Sequence, residues 1–344
     1  MPSFATTSVA ALLSARDGLQ RVELADGSRA VVLTQLTGPV TAGDDVVVNT
    51  TAVELGLGTG GWHIVHWNLT RAGWSQAGPG HIMKLRYTSL QADVGAAEEQ
   101  APGQVWPDLG GRPVVVCGLH SQVGMVAAAL RDRQPDARVA YVMTDGGALP
   151  LVLSDLVATL REGGLLDVTV TAGHAFGGDL EAVTVPSALD VAVRVAGADV
   201  VIVGLGPGVV GTGSILGTTA VEVGPIVDAV AALGGQPVVA ARTSGADERD
   251  RHRGLSHHTA TALRLASRPA VVGHAAGTER FSVPPPHTVV TVPVGPVGPL
   301  LDRFGLAITT MGRGPADDPL SFVTAAAAGV LAGDLHGARA TVRP

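Results

Sequence analysis

The chain has 344 residues with 23 basic and 30 acidic side chains, a net charge of -7. A single core rarely keeps growing beyond about 250–300 residues, so this length predicts two domains; the acidic balance, with no long basic run, argues against a nucleic-acid partner. Hydrophobic residues make up 46% and mean hydropathy is +0.33, yet charges and prolines are expected to interrupt the apolar runs short of the roughly 18 residues a spanning helix needs, so no membrane partner is expected.

Met1 to Arg16 lacks the basic start and sustained apolar stretch of a secretory signal, and the single cysteine, Cys117, allows no intrachain disulfide. Both favour the cytoplasm. Residues 1–95 read as a small β-barrel or sandwich. Gln20–Leu24 and Arg29–Leu33 flank the hairpin signal Asp26-Gly27, and further strands are expected at Asp45–Thr50, His63–Trp67 and His81–Thr88. Trp62, Trp67 and Trp74 are read as core residues. Residues 96–111, rich in glycine and proline, read as a linker.

From residue 112 to 344 apolar strands alternate with helical stretches. Strands are expected at Pro113–Cys117, Arg138–Met143, Asp167–Thr171, Asp199–Val203, Pro237–Ala241, Ala270–Gly273, Thr288–Val292 and Leu306–Thr309. Strands apolar along their whole length must be covered on both faces, which predicts an α/β, Rossmann-like domain with a doubly wound, mostly parallel sheet. Ligands of such sheets bind beyond the carboxyl ends of the strands. The loops carrying His120, Asp145, His174 and Gly206 each follow a strand and should therefore meet at one edge.

The segment after Asp199–Val203 holds Gly204, Gly206, Gly208, Gly211, Gly213 and Gly217. A glycine-rich turn after a buried strand can aim several N–H groups at an anion. Gly206 to Gly211 matches G-x-G-x-x-G, but Pro207 removes one N–H, the helix is delayed beyond Gly217, and Arg242 stands at the next strand end where an acidic ribose partner belongs. A dinucleotide loop, another kind of anion loop and a purely structural turn all remain open. The only lysine is Lys84, so a Walker-type loop or lysine Schiff base in the second domain is not expected.

The other polar constellation is Arg242 to Thr259. Ser256 is placed to cap a helix whose first turn holds His257 and His258. Neutral imidazoles at a helix start can donate hydrogen bonds or shuttle protons. As a metal pair they would point about 100° apart, and with one cysteine in the chain a tightly bound structural zinc is not expected; His252 and Asp250 leave a looser metal site open. Asp179 and Glu181, with His174, are either metal ligands or the start of a helix. His120 and Ser121 do not form a G-x-S-x-G elbow.

Taken together, Gly118 to Gln122, Met143 to Gly146, Gly173 to Ala182, Gly206 to Gly213 and Arg251 to Thr259 resemble, over nearly the whole chain, an uncharacterised bacterial family known as Domain of Unknown Function 3866. The alanine- and arginine-rich composition suggests an actinobacterial member. The resemblance implies no activity. The residues themselves point to a cytoplasmic enzyme acting on a small phosphorylated or nucleotide-like compound. Gly204, Gly206, Gly208, Gly211, Gly213, Arg242 and Ser256 are the expected ligand-binding residues, and His120, Asp145, His174, Asp179, His257 and His258 the expected catalytic ones. No metal residue is assigned, no cofactor is named, and a homo-oligomer is left open. A non-catalytic nucleotide-like ligand-binding or regulatory module and a metal-dependent hydrolase are the alternatives. The glycine loop and Arg242 to Thr259 are expected to wall one cleft because they follow consecutive strands, with Arg242→Ala leaving the fold intact.

Overall fold

The structure, a computed structural model, describes residues 1–100 and 106–342; within the expected linker, residues 101–105 lie outside the described ones. The chain divides into two compact units, Met1–Gly95 and Ala96–Pro344.

The first unit is built on a closed barrel of five strands, β1 (Phe4–Arg16), β2 (Leu19–Leu24), β3 (Arg29–Leu33), β4 (Asp45–Asn49) and β5 (Trp62–Asn68), in the order β1-β2-β3-β5-β4. Single-turn helices α1 (Thr34–Thr37) and α2 (Thr51–Glu54) lie in its connections. Its core is almost entirely valine and leucine, including Val9, Val22, Leu24, Val32, Val46, Val48 and Val65. The Asp26-Gly27 turn forms as expected. Gly27 has φ +81°, which an L side chain rarely adopts, and the Ser28 N–H donates to Asp26 Oδ1 at 2.9 Å. The expected strand His81–Thr88 shrinks to β6 (Ile82–Lys84), paired antiparallel with β7 (Ala92–Val94). The tryptophans are not core residues: Trp62, Trp67 and Trp74 are half-buried, and Arg29 stacks 4.5 Å above the Trp62 ring.

The second unit holds an all-parallel sheet of eight strands in the order β11-β10-β9-β12-β8-β13-β16-β17. Its strands are β8 (Pro113–Cys117), β9 (Val139–Thr144), β10 (Val168–Thr171), β11 (Leu180–Glu181), β12 (Val200–Leu205), β13 (Gln236–Ala240), β16 (Val271–Ala275) and β17 (Thr288–Val292). A small antiparallel pair, β14 (Thr243–Ser244) and β15 (Gly254–Leu255), follows β13. The helices are α3 (His120–Arg133), α4 (Asp155–Glu162), α5 (Val185–Arg194), α6 (Val223–Ala232), α7 (His257–Leu265), α8 (Val297–Arg303) and α9 (Pro319–Val342). Alternation along each strand feeds two separate cores. Val115 and Cys117 pack with α3, α4, α8 and α9, whereas Val114 and Val116 pack with α5, α6 and α7. Ala97 and Leu109, from the segment expected as a linker, are buried in the second of these cores.

Two expectations are corrected. Leu306–Thr309 is not a strand: Leu306 and Ile308 are buried and their neighbours exposed, so the alternation is real, but the segment has no ladder partner. Among the described residues one helix, Pro319–Thr341, is long and apolar enough to cross a membrane by length and composition; its alanines escape the interruption by charge that was expected. Of its most apolar window 56% is buried, with Phe322, Ala325 to Ala328 and Leu331 packed in the first core. Gly273 of β16 lets the α9 backbone approach, since a Cβ there would lie 2.7 Å from the Ala328 nitrogen.

The topology places a crevice. β8 is followed by α3 on one face of the sheet, while its neighbours β12 and β13 are followed by α6 and α7 on the other. Loops that leave adjacent strands toward opposite faces part above the carboxyl edge, and that is where ligands of doubly wound sheets sit.

Candidate functional site

A cleft of about 570 Å³ opens there. The loop after β8 (Leu119 to Ser121), the loop after β12 (Pro207 to Val209), the start of α4 and the extended segment Gly305 to Met311 form its walls, which are mostly apolar. A smaller pocket shares Leu119, Ser121, Thr310 and Met311 with it and ends on Arg242, Asp247 and Arg313. Gln122 ties the two strand ends together. Its Oε1 accepts from the Leu119 N–H at 3.0 Å, and its Nε2 donates to the carbonyls of Ala240 and Ala241.

His120 opens α3 on the cleft wall. The Leu205 carbonyl 3.1 Å away can only accept, which puts the ring proton on Nδ1 and leaves Nε2 to accept from Ser154 Oγ at 2.7 Å. Burial pushes the imidazole pKa down to about 4, so the ring is neutral. Ser154 is itself buried and caps α4, accepting from the Val157 N–H. The serine-histidine contact is therefore first a brace between α3, α4 and β12.

The loop after β9 lies against the loop after β12, the Ala148 N–H donating to the Pro207 carbonyl at 2.7 Å. Asp145 is exposed and accepts from the His174 backbone N–H at 2.9 Å. The expected meeting of the His120, Asp145, His174 and Gly206 loops at one edge is thus observed. Asp179 does not join them. It takes the N–H and hydroxyl of Thr169 at 2.7 and 2.9 Å and pairs with Arg161 at 3.0 Å, which anchors the edge strand well below the carboxyl ends. Glu181 accepts from the Gly177 N–H and the Thr171 hydroxyl. These carboxylates fasten β11 to β10.

Sequence reasoning missed Glu222. It lies beneath Gly146 and accepts from Thr144 Oγ1 at 2.7 Å; burial, with the Asp145 charge nearby, pushes it up to about 7. The only signal, Thr219-x-x-Glu222 ahead of an apolar run, reads as a helix cap. A carboxyl near 7 can carry a proton at neutral pH. It also imposes a pH dependence. The folded protein holds this proton more tightly than the unfolded chain does, so stability falls as pH rises from about 4.5 to about 7 and levels off above. Glu222→Gln is expected to remove that fall, about 3 kcal/mol at most. Urea unfolding of both proteins across this range measures it; parallel stability profiles would show that Glu222 is not the titrating group.

The glycines of the loop are unlike one another. Gly204 lies within β12, where a Cβ would sit 2.7 Å from the Cys117 carbonyl, and at Gly206 it would sit 2.5 Å from the Ala148 carbonyl. Both positions are demanded by packing. Gly208, at φ +90°, is on the cleft wall; Gly211 meets only ordinary contacts and Gly213 open space. Thr218 caps the turn Thr219–Glu222 and α6 begins at Val223, too late for a dinucleotide-type helix start at the third glycine.

β8 separates β12 from β13, so the loops after these consecutive strands do not meet through strand adjacency. They meet through α7 instead, where a Cβ on Gly211 would lie 3.7 Å from His258 Cε1. Arg242 is buried, with Nη1 3.2 Å from His258 Nδ1 and Nη2 3.8 Å from Asp247; burial pushes it down to about 10, still charged at neutral pH. Ser256 is fully enclosed and occupied. It caps α7 by accepting from the His258 N–H and lies 2.7 Å from His252 Nδ1. His252, from the 3-10 turn Asp250–His252, comes up beside His257 and His258, so that one ring nitrogen from each lies within 4.8 Å of the others. His252 thus joins the pair, as the sequence had left open; Asp250 is not part of the cluster. Burial, reinforced by neighbouring arginines, lowers the pKa of all three rings, His252 to about 3 and His258 to about 4.

The fold and the site define a doubly wound α/β protein with a cleft at the carboxyl edge of its sheet and a cluster of three histidines around the start of α7. The chain belongs to the family described as Protein of unknown function (DUF3866), whose model matches residues 29–329. A search of curated proteins found no match.

Proposed function

We propose that the protein is a cytoplasmic enzyme acting on a small phosphorylated or nucleotide-like compound held in the cleft at the carboxyl edge of the sheet. One observation carries this reading: the mostly apolar cleft shares Leu119, Ser121, Thr310 and Met311 with a small neighbouring pocket that Arg242 and Arg313 also line. A volume of about 570 Å³ suits a drug-sized ligand, and guanidinium groups match phosphate geometry. Arg313 is the better placed of the two, since its side chain keeps 25% exposure while pairing with Asp247 and Asp318 at 3.4 Å. Neutral His120 on the wall and Glu222 behind the neighbouring loop are the groups available for proton transfer. A non-catalytic sensor of the same ligand is favoured by the engagement of both ring nitrogens of His120.

Calorimetry across nucleotides and sugar phosphates, with mass spectrometry of each compound after incubation, tests the proposal. We expect one class to bind and to be chemically altered. Arg313→Gln should weaken binding by about 1.5–3 kcal/mol, the range of a charge-assisted hydrogen bond; because it also removes a partner of the buried Asp247 and Asp318 carboxylates it should lower the melting temperature, so binding is measured well below the transition. Arg242→Ala is the poorer probe because this side chain also holds His258 and Asp247. A ligand that binds and returns unaltered would favour the sensor, and failure to bind any of them would end the reading.

A further inference from the structure

We propose that His252, His257 and His258 form an exchangeable site for a divalent transition metal of the zinc class, independent of the anionic ligand proposed above. Three imidazoles converge from two elements, the turn at His252 and the first turn of α7, with ring nitrogens within 4.8 Å of one another. Around a tetrahedral zinc the same nitrogens would be about 3.4 Å apart, so the rings need close by only about 1.4 Å, within reach of side-chain rotation. Nε2 of His257 is buried and has no hydrogen-bond partner; a buried ring nitrogen left in that state calls for an ion or a water. The His252 ring is held from behind, its Nδ1 2.7 Å from Ser256 Oγ, which is how histidine ligands are oriented for a metal. Three protein ligands leave a fourth position open to water or substrate, the arrangement of a catalytic rather than a structural ion.

One contact, from Arg242, opposes the ion. Arg242 can only donate, so its Nη1 at 3.2 Å makes His258 Nδ1 an acceptor and places the ring proton on Nε2. Coordination through Nε2 requires that proton to move to Nδ1, where it meets the guanidinium. Arg242 must then leave His258, and Asp247, 3.8 Å from its Nη2, is in place to receive it. Metal uptake is therefore coupled to a shift of Arg242 from His258 toward Asp247. Arg242 competes with the ion both as a hydrogen-bond donor and as a like charge. Together with Arg249 and Arg251 nearby, it lowers the affinity for the ion.

The test uses the full chain, freed of metal by dialysis against a chelator, and titrates it with Zn²⁺ alone by calorimetry and with Co²⁺ by visible absorption. We expect one ion per chain and the intense d–d bands of four-coordinate Co²⁺. His257→Gln, at a half-buried position, should melt like the wild type, weaken Zn²⁺ at least about tenfold and lose the Co²⁺ bands. Arg242→Gln should tighten Zn²⁺ by about tenfold, the reverse of what a merely structural role predicts. Should that variant fail to fold, His258→Gln takes its place, with loss of the Co²⁺ bands expected. Absence of stoichiometric binding to the wild type, affinity unchanged by His257→Gln, Co²⁺ bands that survive in His258→Gln, or an Arg242→Gln protein that folds and binds Zn²⁺ no more tightly would each overturn the proposal.

Discussion

Asp247→Ala is expected to cost about 3 kcal/mol of unfolding free energy at pH 7, the lower end of the range for breaking a buried ion pair. The Asp247 side chain is only 3% exposed and neutralises three arginines at once. Arg249 reaches it with two hydrogen bonds of 2.9 Å, Arg313 lies at 3.4 Å and Arg242 at 3.8 Å. Alanine removes the negative charge and leaves three guanidiniums facing one another, one of them buried. Arg249 is 42% exposed and screened by water, which is why the lower end applies. Asp247→Asn keeps an oxygen that can accept and should lose less. The carboxyl is held well below its usual range, chiefly by the hydrogen bonds from Arg249. Its contribution is therefore complete above the unfolded pKa of about 3.9 and disappears as pH falls through the lower folded value. The wild type should begin to lose this part of its stability below about pH 4, with only a fraction of it gone at pH 3, while Asp247→Ala shows no such loss. Urea denaturation at pH 7 and pH 3 gives both numbers, and a cost under about 1 kcal/mol at pH 7 would mean that solvent already screens the cluster.

The repeated units of the second domain were legible because most of its strands are short, apolar on both sides and followed by a helix. Pro113–Cys117 and Arg29–Leu33 fall where they were expected. β1 was not. Only Val9 of its thirteen residues is buried, and two register shifts against β2 break the alternation that would betray a strand. Leu306 to Thr309 shows the opposite failure, since alternation reports burial on one side and says nothing about a hydrogen-bonded neighbour. The site was read through the rule that loops after parallel strands share an edge, which correctly gathered His120, Asp145, His174 and Gly206. The rule misplaced Asp179, because β11 is a two-residue edge strand reached by a tight loop instead of a helix. It also could not reach Glu222 or His252. Neither follows a strand; a capping turn and a 3-10 turn deliver them, and their partners are set by packing of the chain back onto the sheet.

Gly206→Val is expected to destabilise the protein by about 3 kcal/mol or more, while Gly213→Ala in the same loop changes stability by no more than about 0.5 kcal/mol. A Cβ at residue 206 would lie 2.5 Å from the Ala148 carbonyl oxygen and 3.1 Å from Met143 Sδ. The thioether can move aside, but the carbonyl belongs to a backbone tied down by the Ala148 N–H to Pro207 carbonyl bond of 2.7 Å. Making room means parting the loops after β9 and β12 and giving up that bond. Valine adds two methyl groups to the same crowded space. The damage also reaches the cleft, whose wall is Pro207 to Val209, so any compound found to bind the wild type should bind Gly206→Val more weakly even at temperatures where it stays folded. Gly213 has nothing within 4 Å of the position its Cβ would take and has no positive φ to protect. Alanine there loses no contact and restricts the unfolded chain slightly. Thermal and urea unfolding of the pair separates two meanings of a glycine-rich loop. Equal and small effects at both positions would show that Gly206 is not held by the packing described, and a large loss at Gly213 would show that its amide meets a partner the fold alone does not provide.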